Sequence, residues 1–269
     1  NAFKRQIASQ LDAKIDALLV LGTTGESSTL DPHELLQIIE FANGQIKKRV
    51  PLIVGTGSND TKKAIKLAKM AQQNGADSIL VVTPYYNKCT QQGLLEHFKA
   101  IAQSVTLPVI IYNVPSRTGL NIAPETVWKL AKIKNVVALK EASGNINQIV
   151  NILHKLKKNF SLYSGDDGIV VPLYSMGSNG VISVLSNALP QQMVSLTTLC
   201  KKKDYTNASK LQLKLLPLIH AIFSEINPIG IKALLKILDK DSGILRLPLT
   251  SMSERNLIQV KKAYSMAIQ

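Results

Sequence analysis

Seven short runs of aliphatic and β-branched residues recur along this chain, each separated from the next by a longer stretch of helical period. The runs cover 17–21, 52–55, 78–82, 109–112, 136–139, 161–163 and 180–184. They are nearly continuously apolar and do not alternate. A strand needs that pattern only when both of its faces are buried, as in a parallel sheet covered by helices. Parallel neighbours also need a crossover between them, and the helical stretches supply it. The pattern therefore predicts an α/β fold built from βαβ units.

Helical period fills 61–74, 92–103, 123–131 and 146–156. Pro124 suits a first helical turn, and Asn43-Gly44 and Asn74-Gly75 suit helix C-termini, where a left-handed residue is cheapest as glycine. From about residue 211 the period stays helical with no further strand candidate. The expected organisation is a strand-and-helix portion over 1–205 and a C-terminal helical region over 206–269. A (β/α)8 barrel takes eight strands. Seven are visible, with a helix ahead of the first, so either a strand lies before Asn1 or another segment fills its place.

Composition narrows the function classes. Of the 269 residues, 45% are apolar and 19% charged, enough apolar surface to offset the entropy of ordering a large core. No run of 18 apolar residues exists to span a membrane. Cys89 and Cys200 lie far apart without C-x-x-C spacing, which suggests neither a disulfide framework nor a zinc site, and the first residues lack a secretory cleavage pattern. A cytoplasmic protein is expected. The net charge of +14 invites a nucleic-acid reading. However, the lysines at 62, 63, 66 and 69, at 129, 132 and 134, and at 155, 157 and 158 fall on helix faces or ends, with no aromatic-interleaved stripe. His33, His97, His154 and His220 show no metal-binding spacing, and no G-x-G-x-x-G or Walker lysine motif occurs. No metal and no cofactor are expected.

In parallel α/β folds active sites gather at the C-terminal ends of strands. After the first run come Gly22-Thr23-Thr24-Gly25-Glu26-Ser27, whose N–H groups and hydroxyls suit a carboxylate. After the third come Tyr85 and Tyr86, adjacent and so pointing apart; one faces a site, or both serve packing. The fourth run ends in Tyr112, a phenol for proton transfer, and leads to Arg117, a guanidinium for carboxylates. The fifth is the most informative, because Lys140 closes an otherwise apolar strand. A snorkelling lysine would explain it structurally. Burial would instead lower its pKa and free the amine to attack a carbonyl as a Schiff-base former. Asp166 and Asp167 after the sixth run read as loop and helix-cap residues.

The segments GTTGES, TPYYNK, YNVPSRTG, VVALKEASGN and SGDD, in this order, resemble the dihydrodipicolinate synthases of the pyruvate-dependent class I aldolase superfamily. The resemblance extends to Glu225-Ile226-Asn227-Pro228 and Leu245-Arg246-Leu247-Pro248. It implies a (β/α)8 TIM barrel with a C-terminal helical region, the barrel's first strand being absent from this chain and the natural protein longer. It also implies that Lys140 forms the Schiff base with pyruvate, so that the only covalent group is the imine. Tyr112 would then shuttle protons, relayed through Thr23 and, from a neighbouring subunit, Tyr86. Thr24 would hold the pyruvate carboxylate, Arg117 the carboxylate of L-aspartate 4-semialdehyde, and Gly165 and Ile182 would line the pocket. A homo-oligomer is implied, a dimer at least and a tetramer as a dimer of dimers. Sugar-acid lyases of the same superfamily and a non-catalytic barrel are the competing readings. Lysine-inhibited members carry two histidines and a glutamate where Pro32, Leu35 and Lys63 stand here, while Ser27, Asn59 and Tyr85 match their site. Weak or absent inhibition by lysine is the expectation.

Overall fold

The computed structural model describes residues 2–156 and 158–269; Lys157, read above as lying at a helix end, falls outside them. Helix α1 (Ala2–Asp12) leads into strand β1 (Leu18–Val20), followed by α2 (Pro32–Ile46), β2 (Leu52–Gly55), α3 (Thr61–Gln73), β3 (Ser78–Val82), α4 (Gln91–Gln103) and β4 (Val109–Asn113). Then come the short α5 (Pro115–Thr118), α6 (Pro124–Leu130), β5 (Val136–Glu141), α7 (Ile146–His154), β6 (Ser161–Ser164), α8 (Val170–Ser175) and β7 (Gly180–Val181). Four helices complete the chain: α9 (Pro190–Lys201), α10 (Tyr205–Ile222), α11 (Ile229–Ile237) and α12 (Glu254–Ile268).

The strands form one sheet in the order β1 to β7, and every neighbouring pair is parallel. The sheet is curled. Leu80, Ile110 and Ala138 on its concave side share one apolar cluster with Leu19, Ile53 and Tyr163, so residues from β1 to β6 meet inside the curl. The alternate residues Leu52, Ile79, Val109, Ile111 and Leu139 pack outward against the helices. Both faces are thus buried, which is why the strands read as continuous apolar runs. Ile39, Ile79, Phe98, Ile101 and Leu139 are fully enclosed, and burial of each contributes about 2 kcal/mol. A second large cluster joins α8 and α9 to the C-terminal helices through Leu196, Leu215, Leu218, Leu234 and Val260.

Loop chemistry after the strands starts the helices. Asp31 and Glu34 form a reciprocal capping box at α2, with Pro32 at its first position, while Asp60, Thr90 and Asn145 cap α3, α4 and α7. Pro124 opens α6 as its sequence position suggests. Gly75 follows α3 in a left-handed conformation at φ 88°.

Several boundaries move by one or two residues from the sequence reading, and two differ for a physical reason that the structure shows. Helix α2 does not end at Asn43-Gly44 but runs through Gly44 to Ile46, with Lys47 as the left-handed residue. Leu35, Ile39, Ala42 and Ile46 lie on one buried stripe, and that burial carries the helix past the glycine. The Asn43 side chain instead donates to the Asn74 carbonyl at 3.3 Å, tying α2 to the end of α3. Strand β7 stops at Val181 rather than 184, because the N–H groups of Val184 and Leu185 both donate to Asp167 Oδ2 at 2.9 Å and leave the ladder.

At β1 the chain turns on Leu21, at φ 57°, and only glycine fits beside it. A Cβ on Gly55 would sit 2.0 Å from the Leu21 carbonyl oxygen, whereas one on Gly25 would meet nothing within 4 Å. Gly55→Ala is therefore expected to lower the unfolding free energy by more than about 2 kcal/mol and Gly25→Ala by less than about 0.5 kcal/mol, measured by urea denaturation. Equal effects would contradict this packing.

Candidate active site

Tyr112 and Lys140 are direct register partners on β4 and β5. Residues paired across parallel strands project to the same face, and Ala138, two positions before Lys140, lies in the inner cluster. Both side chains therefore enter the curl, and Lys140 Nζ stands 4.3 Å from the centre of the Tyr112 ring. On its other side Lys140 pairs with Tyr163, which pairs with Gly180. A Cβ on Gly180 would come within 3.1 Å of the Tyr163 ring, so the glycine leaves that ring its place.

The next residue on each strand faces outward and locks the pair. Asn113 Nδ2 donates to the Glu141 carboxylate at 3.0 and 3.2 Å, Ser143 N donates to it at 2.7 Å, and Asn113 Oδ1 accepts from Ile122 N at 3.0 Å. Burial pushes the Glu141 carboxyl up, and these hydrogen bonds oppose it. The outward partners fix the strand ends that aim the inward phenol and amine.

Lys140 is only 8% exposed. Removal from water disfavours its ammonium and brings its pKa from 10.5 to about 8, with Arg117 pushing the same way and Asp167 opposing. At pH 7 about a tenth of the amine is then neutral, against about one part in three thousand for an unperturbed lysine. Tyr112 moves upward, chiefly by burial, with Glu141 adding to the shift and Arg117 and the Thr23 hydroxyl opposing it. Its phenol keeps its proton at neutral pH and is a donor. An amine that is partly neutral at pH 7, beside a protonated phenol, can attack a carbonyl and hand a proton to the departing oxygen.

Thr23 and Thr24 sit on a short 3-10 turn (Thr23–Gly25) after β1. Glu26, left-handed at φ 51° and buried, anchors it. Its carboxylate pairs with Lys232 of α11 and accepts from Arg246 N at 2.9 Å, while Lys232 Nζ also donates to the Ile244 carbonyl at 2.9 Å. The Arg246 guanidinium in turn pairs with Glu34 and donates to the Thr29 carbonyl at 3.0 Å. The C-terminal region thereby clamps the hydroxyl-bearing turn. Arg117, on α5, donates through Nη2 to the Asn227 carbonyl at 2.9 Å, and Asn227 Nδ2 donates to Thr24 Oγ1 at 3.1 Å.

Gly165 follows β6; a Cβ there would lie 2.7 Å from Ala142 Cβ and 3.1 Å from Lys140 Cε, so the glycine keeps the lysine stem clear. Ile182, just past β7, donates its N–H to the Ser164 carbonyl at 2.9 Å. These two residues, Lys140, Tyr112, Thr23, Thr24 and Arg117 all line a single cavity of about 1530 Å³. Tyr86 does not join them within this chain. It is 92% exposed on the loop after β3 at φ 69°, and Tyr85 is also exposed, so neither of the adjacent tyrosines enters the cavity. Among the described residues no group of His, Cys, Asp and Glu is arranged to hold a metal ion.

Sequence reasoning missed two residues. Asp166 caps the turn after β6, accepting from Gly168 N at 2.7 Å, as a cap residue should. Asp167 is not a cap. It is buried, with its carboxyl pushed up by burial, and it holds the Val184 and Leu185 N–H groups while its charge acts on Lys140. An acidic pair at a strand end was visible, but not which member is buried. Asn227 gave no chemical signal of its own, and its role depends on contacts 203 and 110 residues away.

A family model, the Dihydrodipicolinate synthetase family, matches residues 1–267. The 4-hydroxy-tetrahydrodipicolinate synthase of Caldicellulosiruptor bescii is 49% identical over 259 residues, covering 96% of this chain and 88% of that protein. Among solved structures, the dihydrodipicolinate synthase of Aquifex aeolicus superposes with a TM-score of 0.96 at 41% identity, covering 99% of this chain and 92% of that one. The chloride-inhibited enzyme of Acinetobacter baumannii, complexed with pyruvate, superposes with a TM-score of 0.95 at 39% identity, covering 99% and 91%.

The electrostatics of Lys140 give a test that needs no substrate. Titration of reductively 13C-methylated protein by NMR is expected to show one lysine with a midpoint near 8. Asp167→Asn is expected to lower that midpoint further and Arg117→Ala to raise it, because the first removes an attractive charge and the second a repulsive one. Shifts of the opposite sign would refute the assignment.

Proposed function

The chain belongs to the dihydrodipicolinate synthetase family, a family of lyases of the class I aldolase type, and we propose that it condenses pyruvate with L-aspartate 4-semialdehyde through an imine on Lys140. The observation that carries this reading is the buried, depressed-pKa amine of Lys140 4.3 Å from the Tyr112 ring. The pyruvate-bound relative supports the choice of ketoacid.

In this reading the neutral Lys140 amine adds to C2 of pyruvate, and Tyr112 protonates the resulting hydroxyl so that it leaves as water. Loss of a C3 proton gives the enamine, which attacks the aldehyde carbon and forms the new carbon–carbon bond. The amino group of the semialdehyde then adds to C2 of the imine and expels Lys140, closing the six-membered ring and regenerating the enzyme. Thr24 holds the pyruvate carboxylate and Arg117 that of the semialdehyde, two anions that suit a hydroxyl donor and a guanidinium. Gly165 and Ile182 line the ketoacid pocket. Thr23 relays protons between Tyr112 and Tyr86. No cofactor is needed, since the imine itself is the electron sink.

Tyr86, 92% exposed and held left-handed, is taken to reach the pocket of a second subunit, which makes a dimer the smallest active unit and a dimer of dimers the expected tetramer. The curled sheet is taken as seven strands of a (β/α)8 barrel, with the place of an eighth between β1 and β7, each of which has one strand neighbour among the described residues. Residues 206–269 form the C-terminal helical region, and the reaction belongs to diaminopimelate and lysine biosynthesis in the cytoplasm.

Borohydride reduction in the presence of pyruvate is expected to fix the adduct on Lys140, located by peptide mass mapping. Lys140→Ala should remove both adduct and turnover, and Tyr112→Phe should slow turnover by about 10²-fold or more. An adduct elsewhere, or near-normal turnover without Lys140, would overturn the reading. Lysine is expected not to half-inhibit the enzyme below about 1 mM, because the exposed Lys63 ammonium repels a cationic ligand; inhibition assays check this.

A further inference from the structure

Asn227 lies in the loop between α10 and α11, only 6% exposed, and lines the same cavity as Lys140. Its amide and its carbonyl reach two different parts of the pocket at once. Nδ2 donates to Thr24 Oγ1 at 3.1 Å, and the main-chain oxygen accepts from Arg117 Nη2 at 2.9 Å. Oδ1 is buried and has no hydrogen-bond partner among the described residues. Thr24 and Arg117 come from the loops after β1 and β4, which are not neighbours in the sheet. Asn227 thus bridges them from a third element.

The direction of each hydrogen bond matters chemically. A threonine hydroxyl has one proton and two lone pairs. When an amide N–H donates to Oγ1, the oxygen is used as an acceptor and its proton is left to donate elsewhere. Arg117 spends one of five N–H donors on the Asn227 carbonyl, and the rest of the guanidinium fork stays available. We propose that Asn227 is a positioning residue for both substrate carboxylates: it sets the separation of Thr24 and Arg117 and turns the Thr24 hydroxyl into a donor toward the anion. This rests on reading those two residues as carboxylate holders. It predicts that the pocket selects a pair of short carboxylates through a bridge supplied by the C-terminal region, outside the strand-end loops that hold the reacting groups.

Asn227→Asp is the informative change. An aspartate accepts only, so Thr24 would have to donate its proton to the new side chain, and a negative charge would face the anionic substrates. Asn227→Ala removes the Thr24 contact without adding charge and leaves the main-chain contact to Arg117. The half-saturating pyruvate concentration for borohydride trapping on Lys140 is expected to rise about tenfold in Asn227→Ala, as for loss of one hydrogen bond to a charged group, and further in Asn227→Asp. Trapping at saturating pyruvate should still label Lys140 in both variants. Semialdehyde KM should change little in Asn227→Ala and rise in Asn227→Asp.

A double-mutant cycle with Thr24→Val separates this role from a general loss of structure. If Asn227 acts through Thr24, adding Asn227→Ala to Thr24→Val should raise half-saturating pyruvate by no more than about twofold. Full additivity, or wild-type half-saturation in Asn227→Asp, would overturn the proposal, as would lower kcat with unchanged KM for both substrates. Should Asn227→Asp not fold, the cycle built on Asn227→Ala still decides. Failure of the wild-type protein to trap pyruvate would instead refute the Schiff-base reading, leaving a result distinct from failure of the bridge.

Discussion

A lysine buried at the end of a parallel strand, beside the tyrosine that is its register partner, is the constraint around which the rest of the site is arranged. A buried ammonium without a matching carboxylate is costly, and the protein meets that cost by letting the group lose its proton near neutrality. The same burial favours the neutral amine, which is the form able to add to a carbonyl. Asp167 and Arg117 act on it with opposite signs, so the amine's proton affinity is a balance of desolvation against two charges.

The parallel register converts that local fact into geometry. Because side chains alternate across a strand, Lys140 and Tyr112 face the interior while Glu141 and Asn113 face the helices and hydrogen-bond to each other. The outward polar pair resists sliding between β4 and β5, which would turn the inward pair apart. Glycine at 165 and 180 then clears the space for the Lys140 stem and the Tyr163 ring. The C-terminal helices extend this control to the far wall. Through Lys232 and the backbone of Arg246 they hold Glu26, and through Asn227 they hold Thr24 and Arg117.

Much of this was legible in the chain. The apolar runs at 52–55 and 78–82 coincide with β2 and β3, because two-faced burial leaves a local signature. Lys140 stood out because a cation at the end of such a run is chemically unusual. Where the reading failed, burial or a distant partner had overridden local preference: α2 passes through Gly44 because Ile46 completes its buried stripe, and β7 ends early because Asp167 takes its next N–H groups.

Sequence alone determined the periodicities, the caps and the residue types at each strand end, since these depend on neighbours within a few positions. It thereby determined the α/β class and put an amine, a phenol and a guanidinium at or just after strand ends. Tertiary structure decided which of Asp166 and Asp167 is buried, that Tyr86 stays outside its own cavity, and that Asn227 bridges Thr24 to Arg117. Those outcomes depend on burial and on hydrogen bonds between residues more than a hundred positions apart, for which the local chain carries no record.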